Sequence, residues 1–173
     1  MEDADGQAHA VMAHVLLLRR EHDKALEVAQ QAVCIRPQCV NANGHLGNIL
    51  YYYGKPAEAI EHMKRAIRNM PVYSPWFVDI LAASYKEYGQ LDNATAAARE
   101  ALRLKPDDLD ARLILIDAYR SAGREARAQE IAQELLAIDP TFSLAKWSAT
   151  QPYREPATLD RIAGNLRAAG LPA

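Results

Sequence analysis

The sequence predicts an all-α fold in which four helical hairpins stack side by side and a short helical tail closes the array. Three observations carry this. Prolines recur at Pro37, Pro71, Pro106 and Pro140, at separations of 34, 35 and 34 residues, and a fixed period of that size marks a stacked repeat. Between them, large apolar residues recur at i, i+4 spacing, the period of a helix face, and no strand pattern is present. Small residues, mostly alanine, fill matching columns in each period.

The best-formed copy runs from Ser84 to Pro106: helix, turn at Gly89, second helix, stop. Aligned on the prolines, the first helix of each copy carries a large residue and then a small one. These are Met12-Ala13, Leu46-Gly47 and Leu81-Ala82, with a departure at Leu115-Ile116. Four residues past the large one stand Leu16, Leu50, Tyr85 and Tyr119. Turns follow at Gly54, Gly89 and Gly123, where a left-handed residue costs glycine least. The first copy has Arg20 there, which predicts a strained or differently shaped turn. The second helix is marked by Ala25, Ala59, Ala94 and Ala128, then by Ala32, Ala66, Ala101 and Leu135, small enough for close helix approach. Pro56 opens its helix where a missing N–H costs nothing. The closing prolines end each copy. The expected division is a disordered leader over 1–5, repeats over about 6–39, 40–74, 75–108 and 109–141, and a capping tail over 142–173.

These columns resemble the tetratricopeptide repeat: large-small-x-x-aromatic in the first helix, alanines in the second, proline at the end. The resemblance implies a right-handed superhelix of four hairpins whose first helices line a concave, partner-binding face. The tail lacks the alanine columns. Phe142, Leu144, Ala145 and Trp147 suggest one short helix. Pro152 breaks the chain, and Pro156 starts a second helix with Leu159, Ile162 and Leu166 on one face. Gly170 stops it, with Leu171 folding back on Leu166. Such a segment can cover the last apolar face of an array. The stretches PVYSPWFVDILAASYKEYGQLDNA and QPYREPATLDRIAGNLRAAGLP also resemble the C-terminal repeat region of bacterial multidomain proteins. In those proteins the array follows a class III adenylate/guanylate cyclase domain or a winged-helix domain. That implies a regulatory, signalling role. Neither of those domains is found in this sequence.

The chain has 173 residues, of which half are hydrophobic and 24% charged, as in an ordinary globular protein. A net charge of −2 speaks against a general nucleic-acid or anionic-membrane binder. The apolar run Val11–Leu18 is too short to span a bilayer and follows an acidic rather than basic start, so a cytoplasmic location without membrane insertion is expected. Cys34 and Cys39 form no paired Cys/His motif and are expected to be buried, inert thiols.

On the expected concave face the first repeat presents Ala10, Val11 and His14, and the second Asn41, His45, Asn48, Tyr51 and Tyr52. The third presents Trp76, Asp79, Ala83 and Lys86, and the fourth Asp110, Leu113, Asp117 and Arg120. Asn48 is suited to holding a peptide backbone, because an amide donates and accepts at once. Tyr52 and Trp76 are suited to anchoring an apolar side chain. The candidate partner-binding residues are therefore His14, Asn41, His45, Asn48, Tyr52, Trp76, Asp79, Lys86, Asp117 and Arg120. The cationic clamp that some such arrays use to grip a terminal carboxylate is missing: Ala10, His14, His45, Trp76 and Ile80 stand at those positions.

The five histidines show no ligand spacing on one helix face, and His62 with Glu58 reads as an i, i+4 surface pair. Asp107, Asp108 and Asp110 are placed to favour a helix N-terminus. No nucleophile, base and orienting group converge in sequence, so neither a catalytic site, a metal nor a cofactor is expected. The leading expectation is a non-catalytic module binding a peptide or partner domain. The alternative is a self-associating scaffold, a homodimer without a peptide ligand.

Overall fold

The computed structural model describes residues 7–70 and 72–173. The expected leader, the first residue of repeat one and the closing Pro71 lie outside the described residues. Ten α-helices and no strands are present among the described residues. Four hairpins follow one another: α1 (Gln7–Leu18) with α2 (His22–Ile35), α3 (Val40–Tyr53) with α4 (Pro56–Arg68), α5 (Pro75–Glu87) with α6 (Leu91–Leu104), and α7 (Leu109–Ser121) with α8 (Glu125–Ile138). The tail supplies α9 (Leu144–Thr150) and α10 (Pro156–Ala168).

The alanine columns hold the hairpins together. Ala25, Ala59, Ala94 and Ala128 are buried, and so are Ala32, Ala66, Ala101 and Leu135. Gly47 shows how close the approach is: a Cβ there would sit 3.0 Å from Met63 Cγ and 3.2 Å from Ala59 O. The turn column is equally clear. Gly54, Gly89 and Gly123 adopt φ of 92°, 85° and 69°, and Arg20 is held at φ 61°. The first turn thus has the same left-handed shape as the others, imposed on a residue that carries a Cβ. Asp108 caps α7, its Oδ1 accepting from the N–H groups of Asp110 and Ala111 at 3.1 and 3.4 Å.

Three expectations need correction. Cys34 is exposed and Cys39 half-buried. The inward stripe of α2 runs through Ala25, Ala29 and Ala32, and Cys34 lies off it. His62 is more than a surface partner of Glu58: it is half-buried, and its Nδ1 hydrogen-bonds Asn43 Oδ1 at 3.0 Å. Asn43 Nδ2 in turn donates to the carbonyls of Pro37 and Cys39, both at 2.9 Å, tying down the link between the first two hairpins. Val11 does not join the inward lining of the array: it is exposed, as are Met12 and Val15 on the same helix.

The tail covers the opposite end. Phe142, Leu144, Ile162, Leu166 and Leu171 are buried in the main core. Gly170 takes φ 104°, and the Leu171 N–H donates back to Leu166 O at 3.2 Å. Leu144 N–H donates to Pro172 O at 3.0 Å, joining the two ends of the tail.

Candidate functional site: a cleft closed by the C-terminal strap

The inner face is built from α1, α3, α5 and α7, because the alanine stripes commit the second helices to hairpin contacts. Residues 151–155, between α9 and α10, cross this face as an extended strap. Pro152 and the proline opening α10 keep the strap from becoming helical.

The strap is fastened at several points. Arg154 N–H donates to Tyr52 O at 3.0 Å. The Tyr51 and Tyr153 hydroxyls hydrogen-bond each other, and Tyr52 Oη donates to Gln151 Oε1 at 3.2 Å. The Tyr153 ring meets Tyr51 and Tyr52 edge-on, at centroid separations of 5.6 and 4.9 Å, geometries favoured by ring quadrupoles. The Arg154 guanidinium lies 4.2 Å from the Tyr53 ring centroid. Arg20, in the first turn, reaches Ala149 O at 3.4 Å. Beyond the strap, Arg161 pairs with Glu87 at 2.5 Å, and Asn165 Nδ2 donates to Asp117 Oδ1 at 2.6 Å. The tail therefore does more than cover the last hairpin. It reaches back across the concave face to the second hairpin and touches the first, through Arg20 on Ala149 O and a 3.9 Å ion pair between Arg154 and Asp23.

What remains open is a cleft of about 190 Å³. His14, Asn48, Tyr52, Trp76, Asp79, Lys86 and Asp117, all expected on the partner-binding face, line it. The other three do not. Asn41 is exposed at the start of α3. His45 lies between His14 and Trp76, its ring tilted against both at centroid separations of 5.4 Å. Arg120 is paired with Glu125 at 2.9 Å. Ala10 packs with Ala32 and Ala42 rather than facing a groove. Among the lining residues that sequence reasoning missed are Leu17 and Leu18 of α1, Trp147 of α9, and Gln151, Pro152 and Tyr153 of the strap. An aromatic residue between two prolines was the available signal for the strap.

The cleft has a divided electrostatic character. At one side Lys86 is buried and ion-paired with Asp117 and Glu87. Burial pushes the Asp117 carboxyl up, against the pull of Lys86 and Asn165. At the other side Asp79 has no such partner. Burial, reinforced by Asp108 and Asp110, raises its carboxyl to about 8. Asn48 Oδ1 and Asp79 Oδ1 are buried without a hydrogen-bond partner, as are His14 Nδ1 and Trp147 Nε1. Burial, with the neighbouring His14, holds His45 down at about 4, so its ring is neutral at physiological pH. Burial also raises the Tyr51, Tyr52 and Tyr153 hydroxyls, which stay protonated donors. No group of three or more potential metal ligands gathers among the described residues. No described helix is long and apolar enough to cross a membrane.

The family model for the tetratricopeptide repeat matches residues 86–149. No curated protein matches the chain by sequence. Among solved structures, PilW, a widely conserved type IV pilus biogenesis factor, aligns with a TM-score of 0.77 at 20% identity, over 97% of this chain and 74% of that one. A thermophilic TPR protein of Thermus thermophilus aligns at 0.70 and 21% identity, over 95% of this chain and 86% of that one. YrrB, a TPR protein with an unusual peptide-binding site, aligns at 0.66 and 18% identity, over 97% and 86%. The chain thus carries the tetratricopeptide signature in residues 86–149 and takes the fold of such an array throughout its described length.

Proposed function

We propose that this chain is a non-catalytic protein-interaction module whose concave cleft receives a short peptide segment. The observation that carries the reading is the pair of buried acceptors, Asn48 Oδ1 and Asp79 Oδ1, left without partners on the inner face. A buried polar atom without a partner costs about 1–3 kcal/mol. A ligand that satisfies it recovers that energy on binding. Trp76 and Trp147, which line the same cleft, supply aromatic contact area of the kind that anchors interfaces. The similarity to YrrB, a protein with a peptide-binding site, supports the same use of the fold. We read the module as the regulatory part of a bacterial, cytoplasmic signalling protein, on the resemblance of its C-terminal half to cyclase-linked arrays.

The test is selection from a displayed peptide library, followed by titration of the selected peptides. Asn48→Ala and Trp76→Ala are expected to weaken binding at least tenfold while melting near the wild-type temperature. If both variants bind every selected peptide as the wild type does, the cleft is not the site.

A second reading, self-association, is favoured by α1. Val11, Met12 and Val15 form an exposed apolar patch on α1, the first helix of the array. The opposite end is already covered by α9 and α10, so a second copy would meet this patch face to face rather than head to tail. Light scattering over a concentration series decides it. A dimer abolished by Val15→Glu supports the reading, and a monomer at all concentrations ends it.

A further inference from the structure

The chemistry of the cleft goes further than peptide binding in general. Two of its side chains are almost completely withdrawn from water and unsatisfied: Asn48 is 2% exposed and Asp79 5%. Asn48 Oδ1 is an acceptor, and Asp79 Oδ1 becomes one when an approaching cation displaces the proton that burial holds on the carboxyl, so the missing group is a cationic donor. The lining cation, Lys86, is already held by Asp117 and Glu87 and does not serve Asp79. Asp110 adds a further carboxylate at the cleft. The walls are aromatic: Trp76, Trp147, Tyr52 and Tyr153. A carboxylate set among aromatic faces suits an organic cation, which gains from the counter-ion and from the ring quadrupoles together.

A free amine would satisfy the acceptors alone. Trp147 Nε1 is a buried donor, also without a partner. It calls for an acceptor on the same ligand, and a peptide carbonyl supplies one. The cleft, at about 190 Å³, is several times the share of a single water, about 30 Å³.

We propose that the cleft recognises one basic side chain, lysine or arginine, of an extended peptide segment. Asp79 is its counter-ion, Asn48 its second acceptor, and Trp147 Nε1–H donates to a neighbouring carbonyl of that segment. This rests on the reading of the cleft as a peptide site and names what that site selects. The elevated carboxyl of Asp79 is consistent with a group awaiting a cation.

The chain contains two tryptophans, and both line the cleft, so intrinsic fluorescence reports on this site directly. The full chain is titrated with acetyl-Ala-Lys-Ala-amide and acetyl-Ala-Arg-Ala-amide, with the neutral acetyl-Ala-Gln-Ala-amide, and with n-butylammonium. Saturable binding of a basic peptide is expected, at least tenfold tighter than the glutamine peptide or the free amine. Asp79→Asn is expected to lose at least tenfold in affinity for the basic peptide while melting no lower than wild type. Should Asp79→Asn fall short in stability, Asn48→Ala provides the same comparison from the other acceptor. Equal binding of the glutamine peptide, or undiminished binding by both variants, overturns the basic-side-chain proposal and leaves the peptide site standing. Equal binding of n-butylammonium overturns the assignment to a peptide. If library-selected peptides also leave the fluorescence unchanged, both readings fall together.

Discussion

The two ends of the array present the same kind of helix face to very different surroundings. At the start, Met12 occupies the column of Leu46 and Leu115, yet it is 54% exposed where they are 3% and 1%. Nothing among the described residues packs over it. At the far end, α9 and α10 fold back over the last hairpin and bury Leu144, Ile162 and Leu166. The difference shows that a column specifies a contact only when a neighbouring hairpin is there to receive it. A repeat cannot bury its own outer face, which is why arrays need caps. Here the C-terminal cap also does something the open end does not: its strap crosses the concave face to reach Tyr51 and Tyr52.

Truncating matching apolar side chains at the two ends should have very unequal effects. Leu166→Ala is expected to destabilise by about 3 kcal/mol, in the range for fully buried leucine. Met12→Ala should change stability by less than about 0.5 kcal/mol. Urea denaturation of both variants tests the pair, and equal losses would mean that the first helix is covered in solution.

The covered side carries an electrostatic cost. Asp79 is desolvated in the cleft, and its folded carboxyl stands at about 8 against an ordinary 3.8. The folded state therefore keeps the proton where the unfolded chain has lost it. Stability is full below about 4 and falls as pH rises toward about 8, at no more than about 1.4 kcal/mol per unit. Asp79→Asn should flatten that slope in thermal melts across the window. An unchanged slope would place the titration elsewhere.

A smaller effect is expected at the strap. Tyr153→Phe leaves the buried Tyr51 hydroxyl without its partner, a loss of about 1–2 kcal/mol. Hydrogen exchange should show the 151–155 amides opening before those of the hairpins. Opposite in sign to the other substitutions is Arg20→Gly at the open end. It relieves a left-handed residue, worth about 1 kcal/mol, and gives up only the long contact to Ala149 O. A small rise in melting temperature is the expected result.

Much of the fold was legible because stacking is periodic. Ala25, Ala59, Ala94 and Ala128 had to be small wherever two helices cross closely, and they are buried in each hairpin. The turn glycines were equally readable, since three of the four turns use the residue that pays no Cβ penalty. The candidate site was only partly legible. His14, Asn48, Tyr52, Trp76, Asp79, Lys86 and Asp117 share a cleft because their helices present one face inward. Arg120 and Asn41 do not, since the inward arc of a helix is narrower than a count of columns suggests. Cys34 illustrates the same limit on an outer helix, where a shift of two residues off the alanine stripe exposes the thiol.

Sequence alone thus determined the class of fold, the four hairpins and their turns, because those depend on contacts between residues close in the chain and on a pattern repeated four times. Tertiary structure alone decided where the tail goes. Tyr51 and Tyr153 lie 102 residues apart, and Asn165 meets Asp117 across 48. Such contacts occur once, follow no period, and are set by how the superhelix curves to bring the second hairpin within reach of the strap. That curvature lets the strap narrow an open concave face to a cleft with an unpaired carboxyl inside it.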